Sequence, residues 1–239
     1  MRTDLAEARR TLHRARRIVV LTGAGVSAES GVPTFRGEEG LWKSYRPEEL
    51  ASADAFEANP ELVWEWYLWR QSVVAGCEPN PAHRALVELE RRSSSFTLIT
   101  QNIDGLHQKA GSLNVEELHG NLWRARCTRE GKPRDFSGQL KCECGAWLRP
   151  HIVWFGEALD STMVALCFHA AERSEVFLVV GTSGLVAPAN RLPRTAAGYG
   201  ATVIEINTEP TPLSHAADFF LAGPAGELLP KLVAKDPPS

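Results

Sequence analysis

The stretch Val20-Leu-Thr-Gly-Ala-Gly-Val-Ser-Ala-Glu-Ser-Gly-Val-Pro-Thr-Phe-Arg-Gly37 decides how this chain folds. It grows out of an apolar, β-branched run, Arg17-Ile-Val-Val-Leu-Thr22, which breaks at Gly23 and Gly25. Gly23-Ala-Gly25-Val-Ser-Ala28 fits Gly-x-Gly-x-x-Gly/Ala, where glycines allow a tight turn and bring a pyrophosphate close to backbone N–H groups at a helix start. The pattern alone is common, and the strand before it supplies the context. Beyond Ala28 the chain departs from a dehydrogenase, which would continue with a helix, a second strand and an acid about 20 residues on for the ribose hydroxyls. Glu38 and Glu39 fall near that distance, yet Gly31, Pro33 and Gly37 dictate loop ahead of them. The segment therefore reads as a loop that folds over a dinucleotide, with no evident half-site for hydride transfer.

Three further runs resemble the first: Phe96-Thr-Leu-Ile-Thr100, Glu175-Val-Phe-Leu-Val-Val180 and Ala201-Thr-Val-Ile-Glu-Ile206. Unbroken apolar strands imply burial on both faces and hence a parallel sheet. Helical patterns such as 81–90 and 163–171 lie between them, giving the alternation of a doubly wound α/β fold. The strands end in Thr22-Gly-Ala-Gly25, Gln101-Asn-Ile-Asp104, Gly181-Thr-Ser183 and Asn207-Thr-Glu209, all small or polar. Ligands of open α/β sheets sit beyond the strand carboxyl ends, so these four endings point to one shared nucleotide-like ligand. Two segments break the alternation: 38–76 is helical and aromatic, and 121–155 is basic and carries cysteines. The expected organisation is a Rossmann-like domain of 1–37, 77–120 and 156–239, and a smaller module of 38–76 and 121–155 over the sheet edge, with a ligand cleft between them.

Composition narrows the function classes. At 239 residues and 44% apolar the chain can bury a sizeable core. A net charge of −3 with dispersed Lys and Arg argues against a nucleic-acid-binding surface. No run has the length of a membrane span, and the first ten residues lack the apolar core of a signal peptide, so a cytoplasmic location is expected. Residues 1–10 instead read as the start of a capped surface helix. Five cysteines in such a protein point to metal binding or core packing before disulfides.

Taken together, Gly23-Ala-Gly-Val-Ser-Ala-Glu-Ser-Gly-Val-Pro-Thr-Phe-Arg36, Thr100-Gln-Asn-Ile-Asp-Gly-Leu-His107, Leu118-His-Gly120, Leu148-Arg-Pro-His-Ile-Val-Trp-Phe-Gly-Glu157 and Gly181-Thr-Ser183 resemble the sirtuins, NAD-dependent protein lysine deacylases. The likeness runs in order from about Arg17 to Leu229. It implies a Rossmann-like domain with a smaller helical and zinc-ribbon domain, and NAD and an acyl-lysine peptide entering the cleft from opposite sides. By the same resemblance Gly23, Ala24, Gly25, Glu29, Phe35, Arg36 and Trp42 belong to the cofactor loop. Gln101, Asn102, Ile103 and Asp104 surround the nicotinamide ribose, with Asn102 also catalytic. Gly181, Thr182, Ser183, Asn207, Thr208 and Glu209 hold the adenosine half, and the Ala225 backbone meets the adenine. His119 is implied as the general base, and an imidazole with an ordinary pKa near 6.5 suits taking a hydroxyl proton near neutrality. In the sirtuin reaction the acyl oxygen attacks the ribose carbon as nicotinamide leaves. The products are free lysine and O-acyl-ADP-ribose, so NAD is a consumed co-substrate.

In Trp64-Glu-Trp-Tyr-Leu-Trp-Arg70, core packing is the ordinary reading of the aromatic stripe, but Tyr67 and Arg70 share a helix face. A phenol and a guanidinium there can grip a carboxylate. The pair resembles that of sirtuins removing succinyl, malonyl and glutaryl groups, so acidic acyl chains are expected alongside acetyl. Val153, Phe155 and Gly156 resemble the edge that pairs with substrate backbone, a mode giving affinity with little sequence preference. Cys127, Cys142 and Cys144 lie where the family has structural zinc held by paired cysteines. Here Glu130 stands in place of one cysteine, and the second pair is Cys142-Glu-Cys144. Three thiolates leave the fourth position to water, a carboxylate or nothing, so a vestigial ribbon stays open. A monomer acting on acyl-lysine proteins or peptides, away from membranes, is the expected form. Mono-ADP-ribosyl transfer, or NAD sensing without turnover, are the alternatives.

Overall fold

Five consecutive positions of β1 (Arg17–Thr22) are buried, so the strand must be covered on both faces. The computed structural model, which describes residues 2–33 and 45–234, places it inside a six-stranded parallel sheet. Its neighbours are β2 (Ser95–Thr100) and β7 (Val176–Val180). Outside these lie β3 (Val115–Glu117) next to β2, and β8 (Thr202–Asn207) then β9 (Phe219–Ala222) beyond β7. The chain works outward from β1 to β3, then returns to β7 and works outward the other way. The strand order thus reverses between β1 and β7, and a crevice opens there beyond the carboxyl ends. Register keeps those ends level: Thr22 stands opposite Thr100 on one side and Val180 on the other.

Alternate residues of these strands feed two cores, as the period of two requires. Ile18, Val20, Leu98 and Leu178 face one layer, built from α1 (Leu5–Arg14), α6 (Pro81–Arg92) and α10 (Ala225–Val233). Val19, Leu21, Ile99 and Phe177 face α8 (Ser161–Arg173) and α9 (Leu192–Gly198). Each fully buried Leu, Val or Phe contributes roughly 1.5–3 kcal/mol. The expected first helix is α1, where the Asp4 carboxylate caps the Ala6 and Glu7 amides.

A third core lies over the carboxyl edge of the sheet. It joins α5 (Pro60–Ala75) to an antiparallel sheet ordered β5 (Pro133–Asp135), β4 (Gly120–Cys127), β6 (Leu148–Ile152). Pro60 opens α5 behind an Asn59 cap; Val63, Trp64, Trp66, Tyr67, Arg70, Gln71 and Val74 are buried, while Glu61, Glu65, Leu68 and Ser72 form the exposed face. Trp64 stacks on Phe136 with ring centroids 4.5 Å apart and donates its indole N–H to the Leu148 carbonyl at 2.7 Å. Gln71 donates to the Leu122 carbonyl at 2.7 Å. Among the described residues no helix is long and apolar enough to cross a membrane.

Where β1 and β7 end, the glycines answer a packing demand. A Cβ on Gly23 would stand 2.7 Å from Thr182 Cβ, and one on Gly25 2.8 Å from Gly181 Cα. Gly181 itself has φ +58 and would place a Cβ 2.5 Å from the Val26 nitrogen. Three glycines therefore let two loops touch backbone to backbone.

Two buried histidines underlie this crevice. His83 accepts the Asn80 amide at Nδ1, 3.3 Å away, in the capping box of α6, and its Nε2 lies 3.4 Å from Ser27 Oγ. Its ring centroid is 4.8 Å from that of His107, whose Nε2 is 3.0 Å from Thr22 Oγ1. Burial holds His107 well below the usual imidazole range and pushes His83 down to about 4, with Arg84 adding to the effect. Between that value and the unfolded value of about 6.5, the unfolded chain takes up protons that the folded chain refuses. Stability is therefore complete above the unfolded value and falls as the pH drops through this window. Urea unfolding followed from pH 7 to 4 should show a loss of roughly 2–3 kcal/mol from His83 alone, absent in His83→Gln.

Candidate functional site

A cavity of about 430 Å³ occupies the junction between the sheet edge and the third core. Ala24, Gln101, Asn102, Ile103, Asp104 and His119 line it from the sheet side. Tyr67, Arg70, Val153, Trp154, Phe155 and Gly156 line it from the other.

His119 stands in the two-residue link between β3 and β4. The link turns sharply because Gly120 has φ +82 and lies so close to β6 that a Cβ would meet the His151 carbonyl oxygen at 2.1 Å. His119 Nδ1 is 2.9 Å from the Gln101 carbonyl oxygen. A carbonyl only accepts, so Nδ1 carries the proton and Nε2 is left as the basic nitrogen. Burial lowers the His119 pKa, and the carbonyl bond opposes this in part.

The residues after β2 are held by the loops after β1 and β7. Asn102 donates through Nδ2 to the Gly23 carbonyl and to Ser27 Oγ, both at 3.1 Å, which commits its NH₂ group to the protein. Gln101 donates to Thr182 Oγ1 at 2.9 Å, and Asn207 donates to the Thr182 carbonyl at 2.9 Å. Asp104 is buried; desolvation raises its pKa, while the Leu106 amide, Ser27 and Arg70 oppose the rise. Ser183 is half-buried, Thr208 and Glu209 are exposed beyond β8, and Ala225 is buried at the first position of α10. Glu29 accepts the Gly226 amide at 2.8 Å, so its carboxylate ties the first loop to the start of α10. The Gly23 and Gly25 amides bond the Val180 and Gly181 carbonyls at 3.1 and 2.8 Å. They are committed to the neighbouring loop. Phe35, Arg36 and Trp42 lie outside the described residues.

Opposite His119, Tyr67 and Arg70 are buried on one face of α5. The Arg70 guanidinium lies 4.9 Å above the Trp66 ring and 5.6 Å from that of Tyr67. Burial lowers the pKa of Arg70, against the attraction of Tyr67 and Asp104. Burial likewise raises that of the Tyr67 phenol, with Arg70 opposing. Trp154 donates its indole N–H to the Tyr67 oxygen at 2.8 Å. Trp154 is in turn held by Arg149, 3.4 Å above its ring, and Arg149 forks onto both Glu157 oxygens at 2.5 and 2.9 Å. The expectations from sequence did not include this chain of contacts; the one signal for it was the tryptophan within Val153-Trp-Phe-Gly156. Along that segment, the Val153, Trp154 and Phe155 amides go to His119 O, Glu157 Oε2 and Ala51 O. Phe155 leaves its side chain 61% exposed at the cavity rim.

Away from the cavity, Cys127 ends β4, and Cys142 and Cys144 precede β6. With Glu130, their ligand atoms all lie within 4.8 Å of one another. Cys127 Sγ and Cys144 Sγ are 3.5 Å apart, and every cysteine is free. This donor set fits zinc, which thiolates favour over hard cations. Cys77 and Cys167 are buried elsewhere, as core residues.

A crevice at the strand reversal of a parallel sheet, roofed by a third core that brings a buried arginine and a ribbon of cysteines, defines a nucleotide-binding α/β protein of the sirtuin type. The chain belongs to the Sir2 family, which its residues 23–188 match. It is 52% identical over 225 residues to NAD-dependent protein deacylase 2 of Pyrobaculum aerophilum, covering 92% of this chain and 90% of that one. It is 50% identical to the NAD-dependent protein deacylase of Pyrococcus furiosus, covering 96% of both. A solved Sir2 homologue in complex with NAD superposes with a TM-score of 0.92 at 46% identity, over 97% of this chain and 94% of the other. A Sir2 protein bound to a myristoylated histone peptide superposes at 0.78 and 37% identity, over 96% and 94%.

Because burial dominates at His119, its ring should titrate below the ordinary value of about 6.5. NMR of the histidine ring resonances, assigned with His119→Ala, measures this directly, and the carbonyl bond predicts the Nε2 lone-pair tautomer at neutral pH.

Proposed function

We propose that this chain is an NAD-dependent protein lysine deacylase that removes acetyl and acidic acyl groups, succinyl and malonyl among them. One observation carries the reading: a single cavity is lined on one side by His119, with its basic Nε2, and by Asn102 and Asp104, and on the other by Tyr67 and Arg70. The relatives named as NAD-dependent deacylases support it. NAD enters as co-substrate and supplies the ribose carbon that takes the acyl oxygen as nicotinamide departs.

His119 Nε2 then accepts a proton from a ribose hydroxyl, a role that needs the neutral ring stable near pH 7. Asn102, with its NH₂ committed to Gly23 and Ser27, offers its carbonyl oxygen as an acceptor at a fixed angle. Thr182, which Gln101 and Asn207 grip together, sets the loop on which the adenosine half would rest. The acyl chain would run toward Arg70. There a carboxylate gains a charge-assisted contact from the guanidinium and one from the Tyr67 hydroxyl, whose oxygen already accepts from Trp154. A neutral acetyl group fits without that contact. The cleft would lie between the Rossmann-like part and the smaller module, and a lysine would reach it past Val153, Phe155 and Gly156. Zinc held by Cys127, Cys142 and Cys144 would be structural.

The test compares acetyl-, succinyl- and malonyl-lysine versions of one peptide, with and without NAD. Arg70→Met should lower desuccinylation roughly tenfold to a hundredfold, as loss of a hydrogen bond to a charged group predicts, and spare deacetylation. Equal losses on both substrates would remove the carboxylate clamp. His119→Ala should retain NAD binding by calorimetry and lose turnover. Label from NAD appearing on protein instead of in O-acyl-ADP-ribose would favour ADP-ribosyl transfer.

A further inference from the structure

The ribbon departs from a site of four thiolates, and the departure has its own geometry. We infer that it is a mixed zinc site of three thiolates and one carboxylate, in which Glu130 is the fourth ligand and Arg134 its positioning residue. Two tight turns bring the donors together. The first runs from Cys127 to Gly131: the Gly131 amide bonds the Cys127 carbonyl at 2.8 Å, and the Glu130 amide approaches Cys127 Sγ at 3.5 Å. This folds the Glu130 side chain back toward the sulfurs. The second turn runs from Cys142 to Ala146, closed by the Gly145 amide on the Cys142 carbonyl and the Cys142 amide on the Ala146 carbonyl, both 2.8 Å. Arg129 stitches the turns together by donating to the Cys144 carbonyl at 3.0 Å.

The spacing fits a tetrahedral ion. With zinc–sulfur bonds of about 2.3 Å, neighbouring ligand atoms should stand roughly 3.5–3.8 Å apart. Cys127 Sγ and Cys144 Sγ are 3.5 Å apart, and all four donors fall within 4.8 Å of one another. Three thiols and a carboxylate gathered this closely share only a weak sulfur–sulfur hydrogen bond, between Cys127 and Cys144, and as anions they repel; a dication turns that cost into a gain. Arg134 Nη2 is 3.5 Å from Glu130 Oε2 and steadies the carboxylate from outside. Three soft thiolates exclude magnesium and calcium as the preferred ion. The ion closes the antiparallel β4–β6 pair at the end remote from the cavity. The near ends of the same strands lead into His119 and Val153, where the Val153 amide bonds the His119 carbonyl at 3.0 Å.

The inference is independent of the proposed activity and is tested without it. Metal-free protein is titrated with cobalt(II), and zinc affinity is read by competition with a chromophoric chelator, for the natural chain and for Glu130→Ala, Glu130→Gln and Glu130→Cys. The natural chain should bind one ion in a tetrahedral field, with thiolate-to-cobalt charge-transfer absorption about three quarters that of Glu130→Cys, as three thiolates to four. Glu130→Ala and Glu130→Gln should shift the ligand-field bands and weaken zinc at least roughly tenfold to a hundredfold, the range for losing a partner one shell further out. Glu130 is exposed, so these variants should fold, and far-UV circular dichroism checks that they do. A natural chain that binds no metal, or a Glu130→Ala variant whose spectrum and affinity match those of the natural chain, overturns the assignment.

Discussion

The architecture depends on one close approach, that of the loop after β1 to the loop after β7. Gly25 donates to the Gly181 carbonyl at 2.8 Å, and Gly181 donates to the Ile206 carbonyl at 3.0 Å, so the carboxyl ends of β1, β7 and β8 are joined by backbone bonds. A side chain at Gly23, Gly25 or Gly181 would push these ends apart. The sheet side of the crevice takes its position from them: Asn102 through the Gly23 carbonyl, Gln101 and Asn207 through Thr182. The glycine fingerprint thus meets a demand internal to the protein.

The third core meets a different demand. It keeps Arg70, Tyr67 and Asp104 away from water in a neighbourhood where such groups are costly unless paired. The partners come in series: Asp104 and Tyr67 act on Arg70, Trp154 donates to Tyr67, and Arg149 with Glu157 fixes Trp154. Such a network is valuable only when complete, because a half-satisfied buried polar group loses more than it contributes. The aromatic residues of α5 thereby serve two ends. Trp64 fills space, and Trp66 and Tyr67 shape a wall of the cavity.

Much of the fold was legible in the sequence. The four apolar runs became β1, β2, β7 and β8 with ends shifted by at most one residue, since a strand buried on both faces leaves an unbroken apolar signal. β9, at Phe219–Ala222, was missed because four residues are too few to show a period. Of the site, the polar strand endings were legible because each follows a strand, and His119 was legible only through the family resemblance. The contacts between Trp154 and Tyr67, 87 positions apart, leave no local trace. Neither do the buried pair His83 and His107 or the grip of Glu29 on Gly226.

By itself, then, the sequence determined the parallel sheet, the edge at which ligands gather, and the chemical types gathered there, because burial and turn chemistry act over a few residues. Only the tertiary structure decided which atoms remain for use. It committed the Gly23 and Gly25 amides to a neighbouring loop, turned the basic nitrogen of His119 away from the Gln101 carbonyl, and drew Glu130 into the thiol cluster. The reason is physical: a hydrogen bond or a ligand position can be filled once, and what fills it comes from distant parts of the chain.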